Sequence, residues 1–124
     1  MKASPTNQYL FLVRGSPCQE GGLSPEQMQA HMTEVFAWIE SHYKQGVLSA
    51  AQPLTPEGKV VSGDNGGTIS DGVFAESKES VGGYFIVNAQ TLDEAANIAR
   101  TSPIINHGGK LEVRRIAQLT NDAP

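Results

Sequence analysis

Two stretches of this chain, Tyr9-Leu10-Phe11-Leu12-Val13 and Tyr84-Phe85-Ile86-Val87, are apolar at every position and not at every second one. Side chains along a strand alternate between the two faces of a sheet, so strands without alternation present apolar groups on both. A sheet built on these two strands needs cover on each side, because a bare apolar patch in water is unfavourable. The chain has 124 residues. That length suits one domain over residues 1–124 with a core large enough to fold without staples.

The segments around these strands carry clear punctuation. Arg14-Gly15-Ser16-Pro17 closes the first strand as a loop. Ser24-Pro25-Glu26-Gln27 is a helix start, with Ser24 as cap, Pro25 at the first helical position and Gln27 placed for a capping box. Met28, Met32, Val35, Phe36, Ile39 and Tyr43 then recur at helical spacing as a core-facing stripe, and Gly46 stops the helix. His31 and Trp38 fall on the edge of that stripe, where partial burial is expected, and His42 lies on the same border. Residues 47–54 form a weaker strand. Residues 59–62 and 68–70 flank Gly63-Asp64-Asn65-Gly66-Gly67, a loop tolerant of positive φ, and are expected to form a hairpin.

After the second apolar strand, Thr91 and Glu94 repeat the capping pattern at the start of a second helix, which Ser102-Pro103 ends. Lys110 to Ile116 alternates as a half-exposed strand, and residues 118–124 are expected to form a loose tail. The resulting order is an elaborated βαββαβ pattern, the ferredoxin-like α+β arrangement with both helices on one face of the sheet. The second face is then left to a symmetric copy, so a homodimer through the sheet face is expected.

Composition narrows the function classes. A formal net charge of −4 argues against nucleic acid as the main partner. Arg114 and Arg115 point to opposite faces of a strand and cannot form one basic stripe. The polar start, residues 1–7, and the short run that follows contain neither an export signal nor a membrane span. Cys18, the single cysteine, excludes an internal disulfide and reads as an incidental reduced thiol, so a cytoplasmic location is expected. Three scattered histidines give no metal signature, and no cofactor motif is present.

Residues 70–84, Ser-Asp-Gly-Val-Phe-Ala-Glu-Ser-Lys-Glu-Ser-Val-Gly-Gly-Tyr, carry a resemblance. The segment is similar to the YCII-related family, in the branch named for an Asp-Gly-Pro-Phe motif followed by Ala-Glu-Thr-Lys-Glu and then Gly-Gly before an aromatic strand. Val73 stands in place of the proline and Ser77 in place of the threonine. The similarity extends to Tyr9-Leu10-Phe11-Leu12, Leu23-Ser24-Pro25-Glu26, Leu92-Asp93-Glu94-Ala95 and the stretch from His107-Gly108-Gly109 to Arg114. The resemblance implies a dimeric α/β barrel of ferredoxin-like halves. It implies little about activity: the wider group has been suggested to hold a His and Asp pair in a pocket, and one branch is linked to dehalogenation of a chlorinated aromatic diol or triol.

The candidate site residues follow from both lines. Asp71 is either a turn-closing carboxylate or a general base, and Glu76 and Lys78 follow it on a polar stretch. His107 sits in a loop before paired glycines, either solvated or partnered with Asp71 for proton transfer. Arg14 ends the first strand, as a surface ion pair or a bidentate anchor for an anionic group. Gly82 and Gly83 are candidate backbone contacts for a substrate, without nucleotide-binding context. Two readings stand: an enzyme acting on a small organic molecule through Asp71 and His107, and a non-catalytic module that binds a metabolite or a protein.

Overall fold

The computed structural model describes residues 6–15, 23–55, 57–71 and 81–117, with His107 described through its backbone. Glu76, Lys78, Cys18 and the tail 118–124 lie outside the described residues. Strand β1 (Asn7–Arg14) leads to helix α1 (Pro25–Lys44) and strand β2 (Leu48–Pro53). A hairpin of β3 (Lys59–Ser62) and β4 (Thr68–Asp71) follows, then β5 (Val81–Ala89), α2 (Leu92–Arg100), a 3-10 turn at Pro103–Gly108 and β6 (Lys110–Arg115).

Four strands form one antiparallel sheet in the order β2-β5-β1-β6, and β3 and β4 form a separate two-stranded sheet. The strands that carry the two uninterrupted apolar runs, β1 and β5, are thus the central pair, in register from Asn7 opposite Ala89 to Val13 opposite Gly83. Burial alternates along both. Tyr9, Phe11 and Val13 of β1 and Phe85, Val87 and Ala89 of β5 are buried in one core with Val35 and Trp38 of α1 and Ala95 and Ala99 of α2. Both helices therefore cover a single face. The intervening residues Leu10, Leu12, Tyr84 and Ile86 line the other face and are partly exposed.

Both helices start at the caps the sequence specifies. Gln27 N–H donates to Ser24 Oγ at 3.1 Å, and Ser24 N–H donates to Gln27 Oε1 at 2.9 Å. Glu94 N–H donates to Thr91 Oγ1 at 3.0 Å. Gly46 follows α1 with a positive φ of 78°, a conformation glycine adopts without steric cost.

The face that α1 presents differs from the expectation. Its buried residues are His31, Val35 and Trp38, whereas Phe36 and Tyr43 are exposed, Phe36 at 61%. Residues 31, 35, 38 and 42 form a stripe rotated by about 60° from the one centred on Met28, Met32, Val35 and Ile39. The rotation brings Trp38 onto Phe85, ring centroids 5.5 Å apart, and lets its indole N–H donate to Thr101 Oγ1 at 2.9 Å. A large ring with one polar handle gains both from burial there, and Phe36 offers no such handle. His31, expected at the edge, is in the core at 2% exposure.

Candidate functional site

Of the described candidate residues, Arg14, Gly82, Gly83 and the His107 backbone lie at one end of the four-stranded sheet, and Asp71 lies on a separate element. Arg14 is the last residue of β1, and its cross-strand neighbours are Val81, the first residue of β5, and Lys110, the first of β6. Gly82 and Gly83 follow Val81 directly, and the turn that carries the His107 backbone runs into Lys110. The sheet thus brings Arg14, Gly82, Gly83 and the turn at 103–108 to a common end.

Strand alternation puts Arg14 on the same face as Leu12, Leu10, Tyr84 and Ile86, the face away from the helices. Glu112 lies opposite Leu12 on β6, within diagonal reach of Arg14. Arg14 Nε donates to Glu112 Oε1 at 2.7 Å, and Arg114 Nη1 donates to Glu112 Oε2 at 3.4 Å. The hydrogen bond from Arg14 is the main cause that holds the Glu112 carboxyl below its ordinary range. Desolvation opposes it, and the charges of Arg14 and Arg114 add to it. The result is an arginine whose orientation is fixed by a carboxylate at the rim of an apolar patch. Such a guanidinium is suited to a planar anion.

Glu112 was not singled out from the sequence. The alternation of Lys110 to Arg115 puts it on one face with Arg114, but its link to Arg14 depends on the pairing of two strands 98 residues apart.

The glycines have a packing role of their own. Gly83 is buried between Val13 and Pro53, and a Cβ there would sit 2.9 Å from the Gln52 carbonyl oxygen and 3.2 Å from the Pro53 Cα. The close approach of β2 to β5 requires a residue without a side chain at this point. The Gly82 carbonyl accepts a hydrogen bond from Leu54 N–H at 2.9 Å, which extends the same contact.

Asp71 ends β4, opposite Lys59 of β3, and its carboxylate forms an ion pair with the Lys59 ammonium. Its side chain is 88% exposed. The hairpin that carries it shares no hydrogen-bond ladder with the four-stranded sheet. Asp71 and His107 therefore belong to different substructures, a hairpin and the turn before β6. At the opposite end of the main sheet, a shallow hollow is lined by Asn7, Arg115, Ile116 and Ala117, where Arg115 Nη2 donates to Asn7 Oδ1 at 3.1 Å. It contains none of the candidate residues. Among the described residues no group of three His, Cys, Asp or Glu side chains converges as a metal set, and no helix is long and apolar enough to cross a membrane.

A family model for the YCII-related domain matches residues 8–120, from the start of β1 to beyond the end of β6. The chain belongs to the YCII-related family. The match spans both central strands, both helices and the whole Asp71 to Gly83 segment, so the sheet end described above lies within the YCII-related domain. No curated protein matches the chain.

Proposed function

We propose that this YCII-related protein is a homodimer that handles a small, anionic organic molecule at the Arg14 end of its sheet, with Asp71 and His107 as its proton-transfer pair. The observation that carries the reading is Arg14 itself. It is a partly exposed guanidinium held by Glu112 on the apolar face of the sheet, beside Leu12 and Tyr84. An aromatic carboxylate or phenolate suits such a place, with its ring on the apolar residues and its oxygen at the arginine. In this reading Glu76 and Lys78 complete the polar lining, and Gly82 and Gly83 bring the backbone close to the ligand.

The sheet order and the placement of both helices on one face support a ferredoxin-like half of a dimeric α/β barrel. The sequence between Asp71 and Tyr84 supports the branch named for the Asp-Gly-Pro-Phe motif. A second reading, a binding module without catalysis, is favoured by one feature: the Asp71 carboxylate is exposed and engaged by Lys59.

Titration with benzoate and catechol, one carboxylate and one phenol, tests the site through the arginine side-chain Nε–H signals in a nitrogen-proton correlation spectrum. The expected result is a saturable shift of one signal that disappears in Arg14→Gln. A shift that survives Arg14→Gln would remove Arg14 from the site. For any compound that is turned over, Asp71→Asn retaining affinity while losing turnover supports proton transfer, and unchanged turnover supports a role outside the chemistry.

A further inference from the structure

We infer that the β3–β4 hairpin is a dimerisation arm that clasps the β1–β6 margin of a second copy of this chain. The inference rests on the homodimer reading above and adds a second contact to it.

An isolated two-stranded hairpin is marginal in water without something to pack on. In this one Val61 faces Ile69 across the strands, and both are exposed, at 61% and 63%. The Lys59–Asp71 ion pair lies on the same face, two residues along each strand. The turn is well determined: Gly63, Asn65 and Gly66 all take positive φ, and a Cβ on Gly66 would lie 3.6 Å from Val61 Cγ1. The hairpin therefore has a fixed shape, with an apolar pair displayed on one side and no ladder to its own sheet.

Charge selects the occupant. Residues 57–71 carry Glu57, Asp64 and Asp71 against the single cation Lys59. On the open face of the main sheet, the β1–β6 margin carries Arg14, Lys110 and Arg114 against the single described carboxylate Glu112. An acidic arm with an apolar pair thus matches a basic margin whose neighbours are Leu10 and Leu12, and the aliphatic stems of Lys110 and Arg114 extend that apolar surface. The same chain supplies both halves, so a twofold axis satisfies two copies at once. Val61 and Ile69 of one protomer lie on Leu10, Leu12 and the Arg114 stem of the other, and Asp64 faces its cations. The arrangement brings Asp71 of one protomer toward the Arg14 end of its partner.

Sedimentation equilibrium on the full chain tests the arm. Val61→Ser with Ile69→Ser is expected to raise the dimer dissociation constant about tenfold or more, because two exposed aliphatic side chains lose their burial in the dimer alone. Asp64→Lys and Arg114→Glu are each expected to weaken the dimer by about twofold to fivefold, and the combination to recover most of that loss. All four positions are exposed in the protomer, and circular dichroism should show each variant folded. A wild-type dimer whose dissociation constant is unchanged by the Val61 and Ile69 pair would overturn the arm and leave the sheet-face dimer standing. A wild-type chain that stays monomeric at millimolar concentration would overturn both.

Discussion

Gly108 and Gly109, adjacent and chemically identical, do different work. Gly108 takes φ of 88° in open space, whereas Gly109 has an ordinary φ of −71° but would place a Cβ 2.1 Å from the Ile104 carbonyl oxygen. Gly108→Ala meets only backbone strain, about 1–2 kcal/mol. Gly109→Ala meets backbone that has to move, so a cost of about 3 kcal/mol or more is expected. Urea denaturation of the two variants should separate them by that difference, and equal midpoints would count against the steric account. Glu112 gives a second test at this scale. Its folded carboxyl is held below its ordinary range by Arg14, so the ionised form contributes stability above the unfolded value, and the contribution is lost as pH falls through the folded one. Glu112→Gln should therefore melt lower than wild type at pH 7, with the gap closing from about pH 5 downward. A gap that widens in acid would reverse the assignment.

At the level of elements, the start of each helix was legible because it is a local matter of a cap and the residue three positions on. Ser24 with Gln27 forms both halves of its box, whereas Thr91 accepts from Glu94 N–H and the Glu94 carboxylate accepts from Gln90 N–H, one residue before the cap. The hairpin was legible for the same reason, since its loop holds the residues that positive φ favours. The rotation of α1 was not. Phe36 and Tyr43 are as apolar as the residues that are buried, and choosing between two overlapping stripes requires knowing that Trp38 finds an acceptor at Thr101, 63 residues away. The Arg14–Glu112 pair is equally non-local, which is why the candidate site was read as single residues and not as a charged cluster. The Trp38 contact carries its own prediction. Thr101 Oγ1 accepts from the indole and donates to the Ile98 carbonyl at 2.7 Å, so it ties α1 to the end of α2. Thr101→Val should cost about 1–2 kcal/mol by leaving a largely buried indole N–H without its acceptor, and Thr101→Ser should retain most of the stability. Chemical denaturation followed by Trp38 fluorescence measures both, and a valine variant as stable as wild type would show that the contact is replaceable by water.

For the whole molecule, the two-sided apolar strands set a requirement that one protomer's described elements meet on one face. Both helices pack on the Tyr9, Phe11 and Phe85 side, while Leu10, Leu12, Tyr84 and Ile86 remain partly exposed on the other. Neighbouring residues of β1 therefore separate folding from assembly. Phe11 is fully buried, so Phe11→Ala removes core contacts and should cost about 3–5 kcal/mol whatever the oligomeric state. Leu12 points the other way, between Tyr84 and Glu112 in the cross-strand register. Leu12→Arg adds a charge to a half-exposed position, which a lone protomer tolerates within about 1 kcal/mol because the side chain reaches water. In the dimer the same substitution sets a cation where the partner covers Leu12 with apolar side chains, and taking that charge out of water costs several kcal/mol. The expected outcome is a Leu12→Arg chain with wild-type circular dichroism that sediments at half the wild-type mass at micromolar concentration. Were Leu12→Arg to unfold as Phe11→Ala does, the open face would be part of the protomer's own core, and the second copy would not be needed to cover it.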